Sequence, residues 1–176
     1  MSHDEKAPKR NPPGRRGRLS RVVPLLIGAV SVLVLDQVSK LVVRAAMVPG
    51  QSVPADGFFR ITYVVNTGGV FGIMQSETFL ITLASLAGIV AIILYARYAV
   101  FNSALLTVAL GLLLGGALGN LIDRLSAGRV VDFIDIGVGS YRWPTFNVAD
   151  SAIVIGTVLA IYYILVSTRR QAQGER

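Results

Sequence analysis

Four stretches of this chain stay apolar for about the 20 residues that a helix needs to cross a bilayer, and no other feature restricts its fold as strongly. They run approximately from Val22 to Val43, Phe79 to Ala96, Ala104 to Ile122 and Val148 to Val166. In lipid, backbone N–H and C=O groups have no water to bond, so each stretch is predicted to satisfy them internally as a helix. The expected fold class is an integral membrane, mainly α protein built as a four-helix transmembrane bundle. Composition agrees: 53% of the chain is hydrophobic and 15% charged, whereas soluble domains carry about a quarter charged residues.

Charge sets the expected orientation. Lys6, Lys9, Arg10, Arg15, Arg16, Arg18 and Arg21 precede the first stretch, and Arg169, Arg170 and Arg176 follow the last. Basic residues at the ends of apolar spans mark the cytoplasmic side and attract anionic membrane lipid. An even number of spans then places both termini in the cytoplasm. This distribution accounts for the net charge of +7 without a nucleic-acid partner. Residues 1–20 are read as a disordered basic tail, 21–168 as the membrane domain and 169–176 as a C-terminal tail.

Two longer linkers fall outside. Ala45 to Thr78 carries the turn signals Pro49-Gly50 and Asp56-Gly57 beside a β-favouring run from Phe58 to Val65, which predicts a small extracytoplasmic β element. Asp123 to Asn147 mixes charge with Phe133, Tyr141, Trp143 and Phe146, and is expected to lie along the membrane surface.

With this orientation the intramembrane polar residues converge on one end. Asp36, Lys40 and Arg44 lie in the outer part of the first span, Asn120, Asp123 and Arg124 at the end of the third, and Asn147 and Asp150 at the start of the fourth. Asn66 and Asp132 sit on the linkers. Such residues are costly in a membrane and are functional candidates by default. Asp36 and Lys40, four residues apart, read as an ion pair. Asn120, Asp123 and Arg124 read as sharing one helix face, with Asp123 and Arg124 as a second pair. Gly111, Gly115, Gly116 and Gly119 form small-x-x-x-small patterns suited to close helix packing. Asp135 reads as a solvated loop charge. Asp132 and Asp150 remain, with no cation at helical spacing. Two carboxylates held together cannot both ionise cheaply, so one can act as a base on water while the other acts as an acid. That chemistry requires no cofactor. Cysteine is absent and the one histidine, His3, lies in the tail, which argues against a metal centre or a His-based triad. Intramembrane carboxylates also serve proton-coupled transport, so a small ion-coupled transporter or a membrane scaffold is the alternative reading.

Five ordered blocks resemble one family. They are Leu35-Asp36-Gln37-Val38-Ser39-Lys40, Asn66-Thr67-Gly68-Gly69-Val70-Phe71-Gly72, Gly115 to Arg124, Val130-Val131-Asp132-Phe133-Ile134 and Phe146-Asn147-Val148-Ala149-Asp150. Together they are similar to the lipoprotein signal peptidases (signal peptidase II). The resemblance implies a bacterial inner-membrane aspartyl endopeptidase that cuts prolipoproteins before a diacylglyceryl-modified cysteine, at the extracytoplasmic face. It implies that Asp132 and Asp150 are catalytic. It further implies that Asn66, Asn120, Arg124 and Asn147 line or shape the site, and that Asp36, Lys40, Asp123 and Gly116 support it. No oligomeric state follows from the residues.

Overall fold

The computed structural model describes residues 15–67, 78–98 and 103–174. Helices α1 (Arg15–Ala46), α2 (Thr78–Tyr98), α3 (Ala104–Ala127) and α4 (Val148–Gly174) each contain an apolar stretch long enough to span a membrane. Strands β1 (Ser52–Val53), β2 (Phe59–Asn66), β3 (Val130–Val138) and β4 (Tyr141–Arg142) form one antiparallel sheet in that order. The expected bundle with a small β element is what the chain forms.

Three boundaries differ from expectation. Helix α1 begins at Arg15, so the last residues of the tail expected to be disordered are helical, while residues 1–14 lie outside the described residues. Helix α4 continues to Gly174, beyond the expected domain end at 168. The second linker is not a separate surface segment. Its start completes α3, and Val130–Val138 is a sheet strand paired with β2. The β-branched and aromatic run around Asp132 and Asp135 has strand propensity, and pairing satisfies the backbone that a lone surface segment would leave to water.

Helix α3 is the hub, packing on α1, α4 and α2. Its glycines make this possible. A Cβ at Gly115 would sit 2.5 Å from the Ala29 carbonyl oxygen of α1, and one at Gly116 would sit 2.5 Å from that of Ala149 in α4. Leu25, Ala29, Leu106, Leu110, Leu114 and Leu121 fill the buried core around these contacts. Helix α2 packs on α3 without comparable contact to α1 or α4.

Local backbone features carry the chain from this bundle into the sheet. Gly128 closes α3 in the left-handed region (φ 67°), its N–H donating to the Arg124 carbonyl at 3.0 Å. A residue with a Cβ is strained there, and the turn returns the chain so that β3 starts two residues later. In the β2–β3 ladder the register shifts between Ile61 and Val64, and Val64 then faces Asp132. Bulges of this kind re-aim neighbouring side chains. Val64, Asn66, Val130 and Asp132 face a groove, while Val131 and Phe133 pack with Val43 at the end of α1.

Gly116→Val should therefore wedge α3 from α4 and destabilise the protein by about 1–3 kcal/mol, the usual cost of overpacking. Gly88→Ala, whose new Cβ meets nothing within 4 Å, should leave stability nearly unchanged. Thermal unfolding of both variants in detergent checks the contrast.

Candidate active site

The polar residues of α1, α3, β3 and α4 meet at the sheet end of the bundle in one hydrogen-bonded network. Its foundation is Lys40, fully buried, whose Nζ lies 2.8 Å from Asp36 Oδ2, 2.8 Å from Asp123 Oδ2 and 3.0 Å from Asn120 Oδ1. Asp123 also receives Arg44 at 2.8 Å. Asp36 Oδ1 accepts the Ala149 N–H at 2.9 Å, tying α1 to the first turn of α4, and Gln37 Nε2 donates to both Asp36 Oδ2 and the Gly119 carbonyl. Asp36–Lys40 pairs as expected, but Asp123 does not pair with Arg124. Adjacent helix positions point about 100° apart, so Asp123 faces α1 while Arg124 and Asn120 face the groove.

Above this foundation, amides hold the two remaining carboxyls. Asn147 caps α4: its Oδ1 accepts the Asp150 N–H at 2.9 Å and its own N–H donates to Asp150 Oδ2 at 3.2 Å. This is a reciprocal capping box with Asn and Asp in place of Ser and Glu. Asn147 Nδ2 donates to Asp132 Oδ1 at 2.7 Å and Asn66 Nδ2 to Asp132 Oδ2 at 2.8 Å. Asn120 Nδ2 donates to Asp150 Oδ1 at 2.7 Å. A single residue, Asn147, thus bonds both carboxyls. Burial and the neighbouring charge of Asp150 push the Asp132 carboxyl up to about 6, and the amides of Asn66 and Asn147 only partly offset this.

Asp132 and Asp150 open into a groove of about 1090 Å³. Asn66, Asn120 and Arg124 share its polar end, and Arg124 lies in the field of Asp150, Asp132 and Asp123. From there the groove runs along Ile81, Ser85, Gly88 and Ile92 of α2, with Ala117 and Leu113 of α3 facing them. Asp36, Lys40, Asp123 and Gly116 do not line it: they hold the walls.

Sequence reasoning missed the surroundings of Asp135. It is 3% exposed and is not a solvated charge. Arg60 Nη2 donates to it at 2.6 Å, Thr62 Oγ1 at 2.7 Å, and Arg142 Nε bonds its other oxygen. Burial raises its pKa, but bonds to Arg142, Thr62 and Arg60 outweigh that and hold the group below the usual carboxylate value. Its partners come from β2 and β4, on either side of its own strand, and only the sheet register brings them together. Gln37 and the groove residue Ser151 were also missed. Gln37 lies between Asp36 and Ser39 in the first block, where only its contact with α3 distinguishes it.

This architecture is shared. The family model for signal peptidase (SPase) II matches residues 28–166. A lipoprotein signal peptidase of Moorella thermoacetica is 42% identical over 154 residues, covering 86% of this chain and 99% of that protein. One from Desulforapulum autotrophicum is 38% identical, covering 82% and 93% respectively. The chain belongs to the signal peptidase II family. A bacterial membrane enzyme solved by the in meso method at 2.3 Å superposes with a TM-score of 0.76 at 33% identity, over 84% of this chain and 90% of that one. Membership makes the chain a protease of the membrane, and the transporter reading is not favoured.

The raised Asp132 value has a stability consequence with a definite sign. Because the fold prefers the protonated carboxyl, its penalty is absent below the ordinary value of 3.8 and complete above about 6. Folding stability should fall across that window by on the order of 3 kcal/mol. Asp132→Asn should therefore raise the unfolding temperature at pH 7 more than at pH 4, which paired thermal melts would show.

Proposed function

We propose that the chain is an aspartyl endopeptidase that removes signal peptides from prolipoproteins, with Asp132 and Asp150 as its catalytic carboxyls. The observation that carries this reading is the shared anchoring of the two side chains: Asn147 bonds both, at the polar end of an otherwise apolar groove. A buried pair of this kind retains one proton between its members. The ionised carboxyl takes a proton from water as the water oxygen attacks the scissile carbonyl carbon, and the protonated carboxyl donates to the carbonyl oxygen. The tetrahedral intermediate collapses as the C–N bond breaks, its hydroxyl returning a proton to one carboxyl while the amine takes one from the other. Both products leave and the dyad again holds a single proton.

The groove suits the substrate. From Ile81 to Ile92 the α2 wall extends about 16 Å at 1.5 Å per residue, comparable with an apolar signal-peptide core of about 7–15 residues in helical form. With α2 packed chiefly on α3 among the described residues, the side between α2 and α4 admits such a segment laterally from lipid. The basic ends of α1 and α4 lie opposite the sheet, which supports cytoplasmic termini and a dyad at the extracytoplasmic face. Arg124, beside the dyad, is suited to an anionic or ester oxygen of membrane lipid or of a diacylglyceryl-cysteine.

Asp132→Asn and Asp150→Asn should each lower cleavage of a lipidated prolipoprotein by at least about a thousandfold while the protein remains folded in membranes. Near-normal turnover in either variant would remove that residue from the dyad. Turnover of one prolipoprotein with and without its diacylglyceryl group should show cleavage only of the lipidated form, and equal turnover of both would overturn the lipid requirement.

A further inference from the structure

Lys40 lies outside the groove, yet its ammonium is linked to the dyad by one side chain. It donates to Asp36 Oδ2 at 2.8 Å and to Asn120 Oδ1 at 3.0 Å, and lies 2.8 Å from Asp123 Oδ2 as an ion pair. An ammonium group only donates hydrogen bonds. The atom that Asn120 presents to it must therefore be the carbonyl oxygen, and the amide nitrogen must point the other way. The other way is Asp150 Oδ1, at 2.7 Å. The reversed amide would set NH₂ against the ammonium and oxygen against the carboxylate, unfavourable at both ends.

The neighbouring amide obeys the same logic. Asn147 Oδ1 faces the Asp150 backbone N–H, also a donor only, so its Nδ2 turns to Asp132. Asn147 Nδ2 reaches Asn120 Oδ1 as well, at 3.2 Å, but shares its hydrogens with Asp132 Oδ1 and the Val131 carbonyl. Lys40, at 3.0 Å, is the closer of the two donors to Asn120 Oδ1 and the one that carries a charge. The packing is built to allow this: a Cβ at position 119 would lie 2.5 Å from Asp36 Oδ2, so Gly119 lets the Asp36–Lys40 pair press against α3 one residue before Asn120.

We propose that Lys40 is a positioning residue for the dyad, acting through the Asn120 side chain to keep an amide donor on Asp150. Asp36 and Asp123 hold Lys40, Lys40 orients Asn120, and Asn120 holds the carboxyl. The inference rests on Asp150 being a catalytic carboxyl.

The test is a double-mutant cycle in a charge-balanced background. Lys40→Met alone strands buried carboxylates, so it is combined with Asp36→Asn, which leaves Asp123 paired with Arg44. The cycle compares Asp36→Asn with and without Lys40→Met, each with and without Asn120→Leu, using the purified enzyme in nanodiscs and a lipidated prolipoprotein. With Asn120 present, Lys40→Met should lower kcat about tenfold or more, as for loss of a hydrogen bond to a charged group, and change KM less than about twofold. With Leu at position 120 it should change kcat less than about twofold, because the relay is already absent. An equal fall in both arms, or no fall in either, would overturn the proposal. A second measurement needs no turnover: the side-chain amide NMR signal of Asn120, assigned by its loss in Asn120→Leu, should move when Lys40→Met is added to the Asp36→Asn background, as it does in Asp150→Ala. An unmoved signal in the folded Asp36→Asn, Lys40→Met double variant, relative to Asp36→Asn, would also overturn it. If Asp150→Asn kept normal turnover, the dyad would fall. If Asp150→Asn is inactive and the cycle is additive, only the relay falls.

Discussion

A buried ammonium surrounded by two carboxylates and an amide is the interaction on which the sheet end of the bundle depends. Lys40 alone would be prohibitively costly at this depth, and so would Asp36 or Asp123. Together with Arg44 they form a neutral set whose members come from α1 and α3, and Asp36 extends it to the α4 backbone. Three helices that lipid would leave free to slide are thereby locked in register at one end. Apolar packing cannot supply this, since lipid tails compete for every leucine on equal terms. The glycines of α3 are the steric condition for the lock, because they set how closely the donors and acceptors can meet.

On that base stands a site that works against the fold's own preference. Asp132 is 2% exposed, carries no ion pair among the described residues, and lies close enough to a second carboxyl to feel its charge. Asp135, three residues along the same strand, shows the opposite treatment. It is also buried, but two arginines and a threonine satisfy it. One carboxyl is neutralised and fastens the back of the sheet. The other is left with amides alone, which orient it without cancelling its charge. The contrast separates a residue that holds structure from one kept chemically available.

Much of this was legible in the residues. The spans follow from length and hydropathy, and the convergence of polar residues at one end follows from alternating span direction. Asp36–Lys40 and Asn147–Asp150 are local in sequence, so helical spacing reveals them. What could not be read is what depends on orientation between elements. Asp123 lies beside Arg124 in the chain but turns to Lys40 and Arg44, a choice made by the angle at which α3 meets α1. Asp135 looks solvated because Arg60 is distant in sequence and reaches it only through the β2–β3 register. Strand β3 was obscured because two aspartates interrupt its apolar run. In each case the deciding partner belongs to another element, and no periodicity within one segment encodes it.

Helix α2 has a consequence of its own. It forms one wall of the groove and, among the described residues, packs chiefly on α3, while Asp132 and Asp150 are held by Asn66 of β2, Asn120 of α3 and Asn147 at the cap of α4. The wall and the anchors of the two carboxyls therefore belong to different elements. The side chains that bond Asp132 and Asp150, those of Asn66, Asn120 and Asn147, all lie outside α2. On the proposed reading, leader sequences of different bulk meet one rigid cutting point, so tolerance toward many clients and strictness about where each is cut reside in separate parts of one small molecule.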